Sequence, residues 1–244
     1  MEPSKSARSE PYTARGQRTR QALVASARTV FERDGFLEAR VTDISAGARV
    51  AHGTFYTYFD SKESIFMELA VQLLEEMLGP PRAARSSNSE SNDGPTTTTR
   101  VESSSAGAHM PLRSRDPLAA IERANAHYLE AYRRNAKLMG IIEHVAMFNP
   151  RLGVVREARS RSFSERAARS ITDLQAQGLA DPNLDARLTA MALTGMVSRF
   201  AYAWFVAGEA DPDRISFDDG LNTVTRLWAN AIGLTERVTH NTAN

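Results

Sequence analysis

The chain has 244 residues, of which 42% are hydrophobic and 24% charged, enough for one large domain or two small ones with ample core. Lys and Arg number 30 against 29 Asp and Glu, for a net charge of +1, a balance that neither demands nor forbids a polyanionic partner. The lack of cysteine excludes disulfides, thiolate metal sites and a cysteine nucleophile. No apolar run reaches the roughly eighteen residues of a membrane span, and the N-terminal twenty residues lack the apolar centre of a secretory signal. A cytoplasmic protein with no membrane partner is expected.

Residues 1–17 are polar, with scattered Lys5, Arg8 and Arg15, and read as a flexible basic arm. A first helix is expected over 18–34, with Leu23, Ala27, Val30 and Phe31 as its buried stripe and Gly35 as a left-handed stop. Short helices follow over 41–48 and 51–57. A longer one runs from Ser61 to Leu78, with Asp60 and Glu63 as a capping box and Phe66, Leu69, Ala70, Leu73 and Met77 on its apolar line. Residues 18–78 thus form a compact helical head and connecting helix. The stretch 79–116 is rich in Ser, Thr, Pro, Gly and Arg, too poor in large apolar residues to offset ordering entropy, and reads as a low-complexity linker.

The body, 117–244, restarts with Asp116 as N-cap and Pro117 at the first helical position. Helices are expected over 117–135 and 137–148. A third starts at Asn149-Pro150 and ends near Gly178. A fourth runs from Asp181-Pro182 to about Gly208, and a fifth from Ser216 to about Gly233. No strand pattern and no internal repeat is visible, so the expected fold is all-α: an N-terminal three-helix helix-turn-helix head followed by a helical C-terminal domain.

The stretch 41–66, VTDISAGARVAHGTFYTYFDSKESIF, carries the most information. Two short helices joined by a tight turn can place the second in a DNA major groove. In that second helix Phe55 and Phe59, four apart, form the inward face with Val50. His52, Thr54, Tyr56 and Tyr58 are left for the outside or the ends. Ala51 and Gly53 are small enough for close backbone approach, tyrosine hydroxyls suit phosphate oxygens, and Lys62 can reach the DNA backbone. Bulk charge gives no help: seven basic residues between Arg18 and Lys62 face seven acidic ones between Glu32 and Glu68.

These residues resemble the TetR family of transcriptional regulators. The resemblance rests on Phe31 to Gly35-Phe36, Val41-x-x-Ile44, Ala48-x-Val50-Ala51, Gly53-Thr54-Phe55-Tyr56, Tyr58-Phe59 and Lys62, about a fifth of the chain. It implies an all-α homodimer with a DNA-reading head and a larger ligand-binding body. It also implies that Ala51, His52, Gly53, Thr54, Tyr56, Tyr58 and Lys62 face DNA, His52 being the best placed for base-specific contact. Two departures stand out. Arg49 occupies a turn position where the family usually has glycine, and so is expected either to be left-handed at some cost or to be used against phosphate. Ala39-Arg40 replaces the usual Thr or Ser before the second helix; this loses an N-cap and offers Arg40 to phosphate.

In the body, the resemblance implies a four-helix dimer interface from the last two long helices, and Leu193, Val197, Phe200 and Trp204 with Leu221, Val224 and Trp228 are the candidates. The alternative is that both helices lie inside a monomer core. A pocket for a small-molecule effector is expected among the first four body helices, with Tyr128, Tyr132, Met139, Ile142, Met147, Phe148 and Phe163 as apolar lining, although ordinary core packing explains each singly. Arg156 and Arg159 fall on the same apolar line. An inward arginine must find an anion, whether Glu130 or Glu143, a partner subunit, or an acidic amphipathic ligand.

The reading is therefore a dimeric regulator bound to a palindromic double-stranded DNA operator and released by a hydrophobic or amphipathic effector. A DNA-binding dimer that senses no small molecule is the competing reading. An enzyme is not expected. His52, His109, His127, His144 and His240 form no His-x-x-x-His pair, and no zinc spacing, phosphate loop or nucleophile elbow occurs. No cofactor or metal is expected.

Overall fold

The computed structural model describes residues 13–78, 116–209 and 215–235. They form nine α-helices, with no strand among the described residues. The head comprises α1 (Ala14–Glu38), α2 (Val41–Gly47), α3 (His52–Tyr58) and α4 (Lys62–Leu78). The body comprises α5 (Pro117–Arg134), α6 (Ala136–Ala146), α7 (Pro150–Ala176), α8 (Ala186–Phe205) and α9 (Phe217–Ala231). The 79–115 stretch, most of the N-terminal arm and residues 236–244 lie outside the described residues.

The head core is built from the expected stripe. Leu23, Ala27, Val30 and Phe31 of α1 are buried against Ile44, Phe55, Phe59, Ile65 and Phe66. Phe31 meets Phe66 edge-on, ring centroids 5.0 Å apart. Burying each such ring contributes roughly 1.5–3 kcal/mol, which outweighs the modest propensity of two seven-residue helices that would not hold alone. In the body, Tyr128, Leu129 and Tyr132 of α5 pack with Leu138, Met139 and Ile142 of α6, Ile171 and Leu174 of α7, and Val197 and Ala201 of α8.

Three local expectations need correction. The first helix begins at Ala14, where Thr13 Oγ1 accepts from the Gly16 amide, so 14–17 are helical rather than part of an arm. Gly35 has φ +76° as expected, yet it bends the chain instead of stopping it, and helical turns resume to Glu38. The cap of α4 is not Asp60 with Glu63. Ser61 and Ser64 cap one another instead: the Ser61 amide donates to Ser64 Oγ at 3.1 Å and the Ser64 amide to Ser61 Oγ at 3.2 Å.

The body caps follow the same chemistry. Asp116, Asn149 and Ser216 each accept the amide of the residue three further on. The start of α8 is Asp185, whose carboxylate accepts the Arg187 and Leu188 amides, and not Asp181-Pro182. Asp181 instead turns onto the Asn183 amide and ties its own amide to the Ile232 carbonyl.

Head and body are joined along two lines. α4 runs out of the head to pack on α5 and α7, and α1 packs on α6. There Arg28 Nη2 donates to Asn135 Oδ1 at 2.5 Å, while its Nε holds Glu32 at 2.9 Å.

Candidate nucleic-acid interface

The geometry of α3 follows from what anchors it. Phe55 is fully buried and Phe59 nearly so, their rings 5.7 Å apart. With these two aromatic side chains fixed, His52, Gly53 and Tyr56 stand on the free side. Tyr56 is 53% exposed, and its ring meets His52 edge-on at 5.4 Å. Ala51 and Gly53 are exposed, and nothing stands within 4 Å of where a Gly53 side chain would begin. Thr54 and Tyr58 are half-buried at the flanks.

The turn before α3 has the cost that its sequence implies. Arg49 has φ +56° and is the one non-glycine residue in the left-handed region among those described. That conformation costs on the order of 1–3 kcal/mol for a residue with a Cβ. Here it lets the Val50 amide bond the Ser45 carbonyl at 3.0 Å and turns the chain into α3. Arg40 precedes α2 with no side-chain cap, as its residue type requires.

Local charge is more segregated than the tally of residues implied. Arg20 forks onto Glu68 and lies 5.1 Å from the Phe59 ring centroid. Arg28 holds Glu32, and Arg33 holds Asp34 with Asp43 further off. The Arg33 hydrogen bond keeps the Asp34 carboxyl below its ordinary range. Arg40 and Arg49 are exposed and in no ion pair among the described residues, so they remain available to an external anion. Lys62 is already engaged: its Nζ donates to the Leu37 carbonyl at 2.9 Å and sits 5.0 Å from the Phe36 ring centroid. It braces the α1 bend onto α4.

Comparison with known proteins bears on this head directly. The family model described as bacterial regulatory proteins, tetR family, matches residues 23–69. That span runs from the first buried leucine of α1 to Leu69 of α4. Over that span the chain is similar to the TetR family of transcriptional regulators. A regulator named EthR from Mycolicibacterium smegmatis is 33% identical over 75 residues, covering 28% of this chain and 35% of that one. A probable acrEF/envCD operon repressor of Escherichia coli K12 is 25% identical over 201 residues, 79% of each chain. Among solved structures, a TetR-family regulator from Syntrophomonas wolfei aligns with a TM-score of 0.61 at 20% identity, covering 90% of this chain and 97% of that one. The fatty acid degradation regulator FadR of Bacillus halodurans aligns at 0.60 and 14% identity, covering 89% and 97%. These likenesses extend the shared all-α fold through the body.

The pocket candidates of the body divide in two. Tyr128, Tyr132, Met139 and Ile142 are buried together, with Phe163 stacked on Tyr128 at 5.4 Å. Burial pushes the Tyr132 phenol well above its usual range. Met147 and Phe148 do not join them. They are 75% and 51% exposed at the α6–α7 turn, because α6 ends at Ala146 before its apolar stripe does. Arg156 is exposed on Glu143 at 2.8 Å, whereas Arg159 reaches Tyr128.

The dimer candidates fall on the inner side of their helices. Leu193, Val197, Trp204, Val224 and Trp228 are buried in the chain's own core, with Phe200 and Leu221 packed against it. The indole of Trp204 fills the space beside Gly220 that a side chain there would need. The opposite face of α8 is the open one, with Leu188 62% and Met191 61% exposed. Both faces of α8 are apolar, and a helix of that kind does not reveal from periodicity which face its own subunit takes.

Sequence reading also missed Ser26. It is buried in α1 and donates to the Ile44 carbonyl at 2.7 Å. A serine in the middle of an apolar stripe was its only signal.

Proposed function

We propose that this chain is a dimeric, sequence-specific DNA-binding repressor, released from a palindromic operator by a small hydrophobic or amphipathic effector. The observation that carries the reading is the face of α3. His52, Gly53 and Tyr56 stand outward, Arg40 and Arg49 are exposed and in no ion pair among the described residues, and Phe55 and Phe59 lock the helix from behind. Base edges would be read by His52 and Thr54, and phosphates held by Arg40, Arg49, Tyr56, Tyr58 and Lys62, with Ala51 and Gly53 permitting close approach. The Escherichia coli relative's name, an operon repressor, supports repression over activation.

On this reading 18–78 form the DNA-reading unit, 79–116 connect it to the body, 117–244 hold the effector and the dimer contact, and the protein works in the cytoplasm. A second copy would cover Leu188 and Met191, beside an open groove of about 890 Å³ between α7 and α8. That groove carries Arg161, Arg169 and Arg187 together with Glu157, Glu165 and Asp173, a mixture of signs that a two-fold, self-complementary contact needs. Two copies would set their α3 helices into major grooves about one helical turn apart. An effector that binds better to a state with the wrong head separation releases DNA by population shift.

Selection of bound sequences from a random duplex pool with the purified chain tests the reading. Recovery of a palindrome with half-sites about ten base pairs apart is expected. Recovery of sequences with no common half-site overturns it.

A further inference from the structure

Arg156 and Arg159 lie on one side of α7 and have opposite circumstances. Arg156 reaches solvent and holds Glu143. Arg159 turns inward: its Nη2 stands 3.5 Å from the Tyr128 hydroxyl and 3.7 Å from Met77 Sδ, and its guanidinium is 5.8 Å from the Tyr128 ring centroid. Its Nε is shut off from solvent without a hydrogen-bond partner among the described residues. No carboxylate among them comes within ion-pair distance of it.

The Arg159 side chain is half-buried with its Nε sealed from water, and a charge drawn from solvent without a counter-ion is costly. Phenol and thioether are neutral, weak acceptors. Nε and Nη2 share one edge of the guanidinium fork, the edge that a carboxylate bridges with two parallel hydrogen bonds. On Arg159 one member of that edge has no partner and the other only these neutral ones. The surroundings are apolar: Phe163 stacks on Tyr128, and Tyr132 lies 5.9 Å from Tyr128, ring centroid to ring centroid. One guanidinium among aromatic rings matches a single negative charge on a hydrophobic body.

We propose that Arg159 anchors the carboxylate of an amphipathic organic acid whose apolar part lies along Tyr128 and Phe163. This rests on the reading of the body as an effector domain and names the class of effector. The acid competes with Met77 for Nη2. Met77 belongs to the last turns of α4, the helix whose first turns pack in the head, so occupancy of Arg159 bears directly on the element that carries α3.

The test compares octanoate with octanamide, equal in shape and different in charge, by calorimetric titration of the full chain. The wild type should bind octanoate about tenfold or more tightly than octanamide, the worth of a charge-assisted pair. Arg159→Met should lose that preference, Arg159→Lys should keep part of it, and Arg156→Met should retain it in full. Equal affinities in the wild type, no binding of either compound, or a preference that survives Arg159→Met overturns the proposal. An Arg159→Met chain that melts well below wild type without acid also overturns it, since the guanidinium would then already be satisfied within the protein. Duplex selection on the same preparations separates the two readings. Sequence-specific binding without acid preference rejects the Arg159 assignment alone, whereas loss of sequence-specific binding in the wild type rejects the regulator.

Discussion

Ser26 Oγ donates to the carbonyl oxygen of Ile44 at 2.7 Å, and Gly47, one turn further along α2, leaves no room for a side chain against the same hydroxyl. The two contacts fix how closely α2 lies on α1, and through the Arg49 turn they fix the direction of α3. Gly47→Ala would put its Cβ into Ser26 Oγ, an overpacking expected to cost about 1–3 kcal/mol. Ser26→Ala removes the obstructing atom, and the Ile44 carbonyl keeps its bond from the Ala48 amide. The double variant should therefore recover part of the loss. Urea unfolding of the four proteins of this cycle measures it, and strict additivity would show that the two residues do not meet.

Arg49 sets stability against function. Glycine at its φ of +56° carries no Cβ penalty, so Arg49→Gly should raise stability by about 1 kcal/mol. It should also weaken DNA binding and lower the slope of log K against log salt by about one unit per subunit, since one phosphate contact is lost. Thermal melting and salt-dependent titration together read this out. A more stable variant with an unchanged salt slope would mean that Arg49 does not touch DNA.

The head was legible in the sequence because its signals agree. Phe55 and Phe59 at helical spacing have one structural solution, whereas the left-handed Gly35 fits a stop as well as a bend, and only the packing of Phe36 beyond it selects the bend. Caps were less legible, since Asp60, Ser61, Glu63 and Ser64 offer overlapping pairs and only the backbone geometry selects Ser61 with Ser64. The body was read to within a few residues per helix but not by face. Leu193 and Leu188 are equally apolar, and which one turns inward depends on how α7 and α8 meet, a non-local fact. Arg156 and Arg159 shared one expectation because Glu143 lies thirteen residues from the first, and nothing local tells which arginine it reaches.

Tyr56 and Lys62 test the α3 face with different clarity. The Tyr56 hydroxyl has no hydrogen-bond partner among the described residues and the ring is half exposed. Tyr56→Phe should therefore leave stability within about 0.5 kcal/mol and weaken binding to all duplexes. Lys62→Ala loses the Leu37 hydrogen bond and the Phe36 ring contact, and should cost about 1 kcal/mol of stability as well as affinity. Melting curves beside duplex titrations distinguish them, and unchanged affinity in the double variant would exclude this face.

The buried Tyr132 phenol predicts the alkaline limit of the fold. Its pKa in the folded chain lies well above the ordinary value near 10 because burial penalises the phenolate. Below pH 10 both folded and unfolded chains keep the proton, and the contribution is fully present. Above it the unfolded chain releases a proton that the folded chain retains, so stability falls as pH rises. Urea midpoints at pH 9 and pH 11 should decline less in Tyr132→Phe than in wild type. Parallel declines would assign the alkaline loss to other groups.

The open face of α8 predicts the site of self-association. Leu188 and Met191 expose most of their surface, and covering each would contribute roughly 1.5–3 kcal/mol. Leu188→Glu with Met191→Glu should place two like charges in a contact repeated by symmetry, and should turn a dimer into a monomer in sedimentation equilibrium. Melting at low concentration should be little changed, because neither residue supports the subunit core. Trp204→Ala is the opposite case: the indole is buried against Gly220 and stacks on Phe217 at 6.2 Å. It should lose about 3–5 kcal/mol of subunit stability through a cavity rather than through a lost partner. A chain that stays dimeric with both glutamates would move the contact off this face of α8, and DNA affinity that survives monomerisation would mean that one head suffices to read the operator.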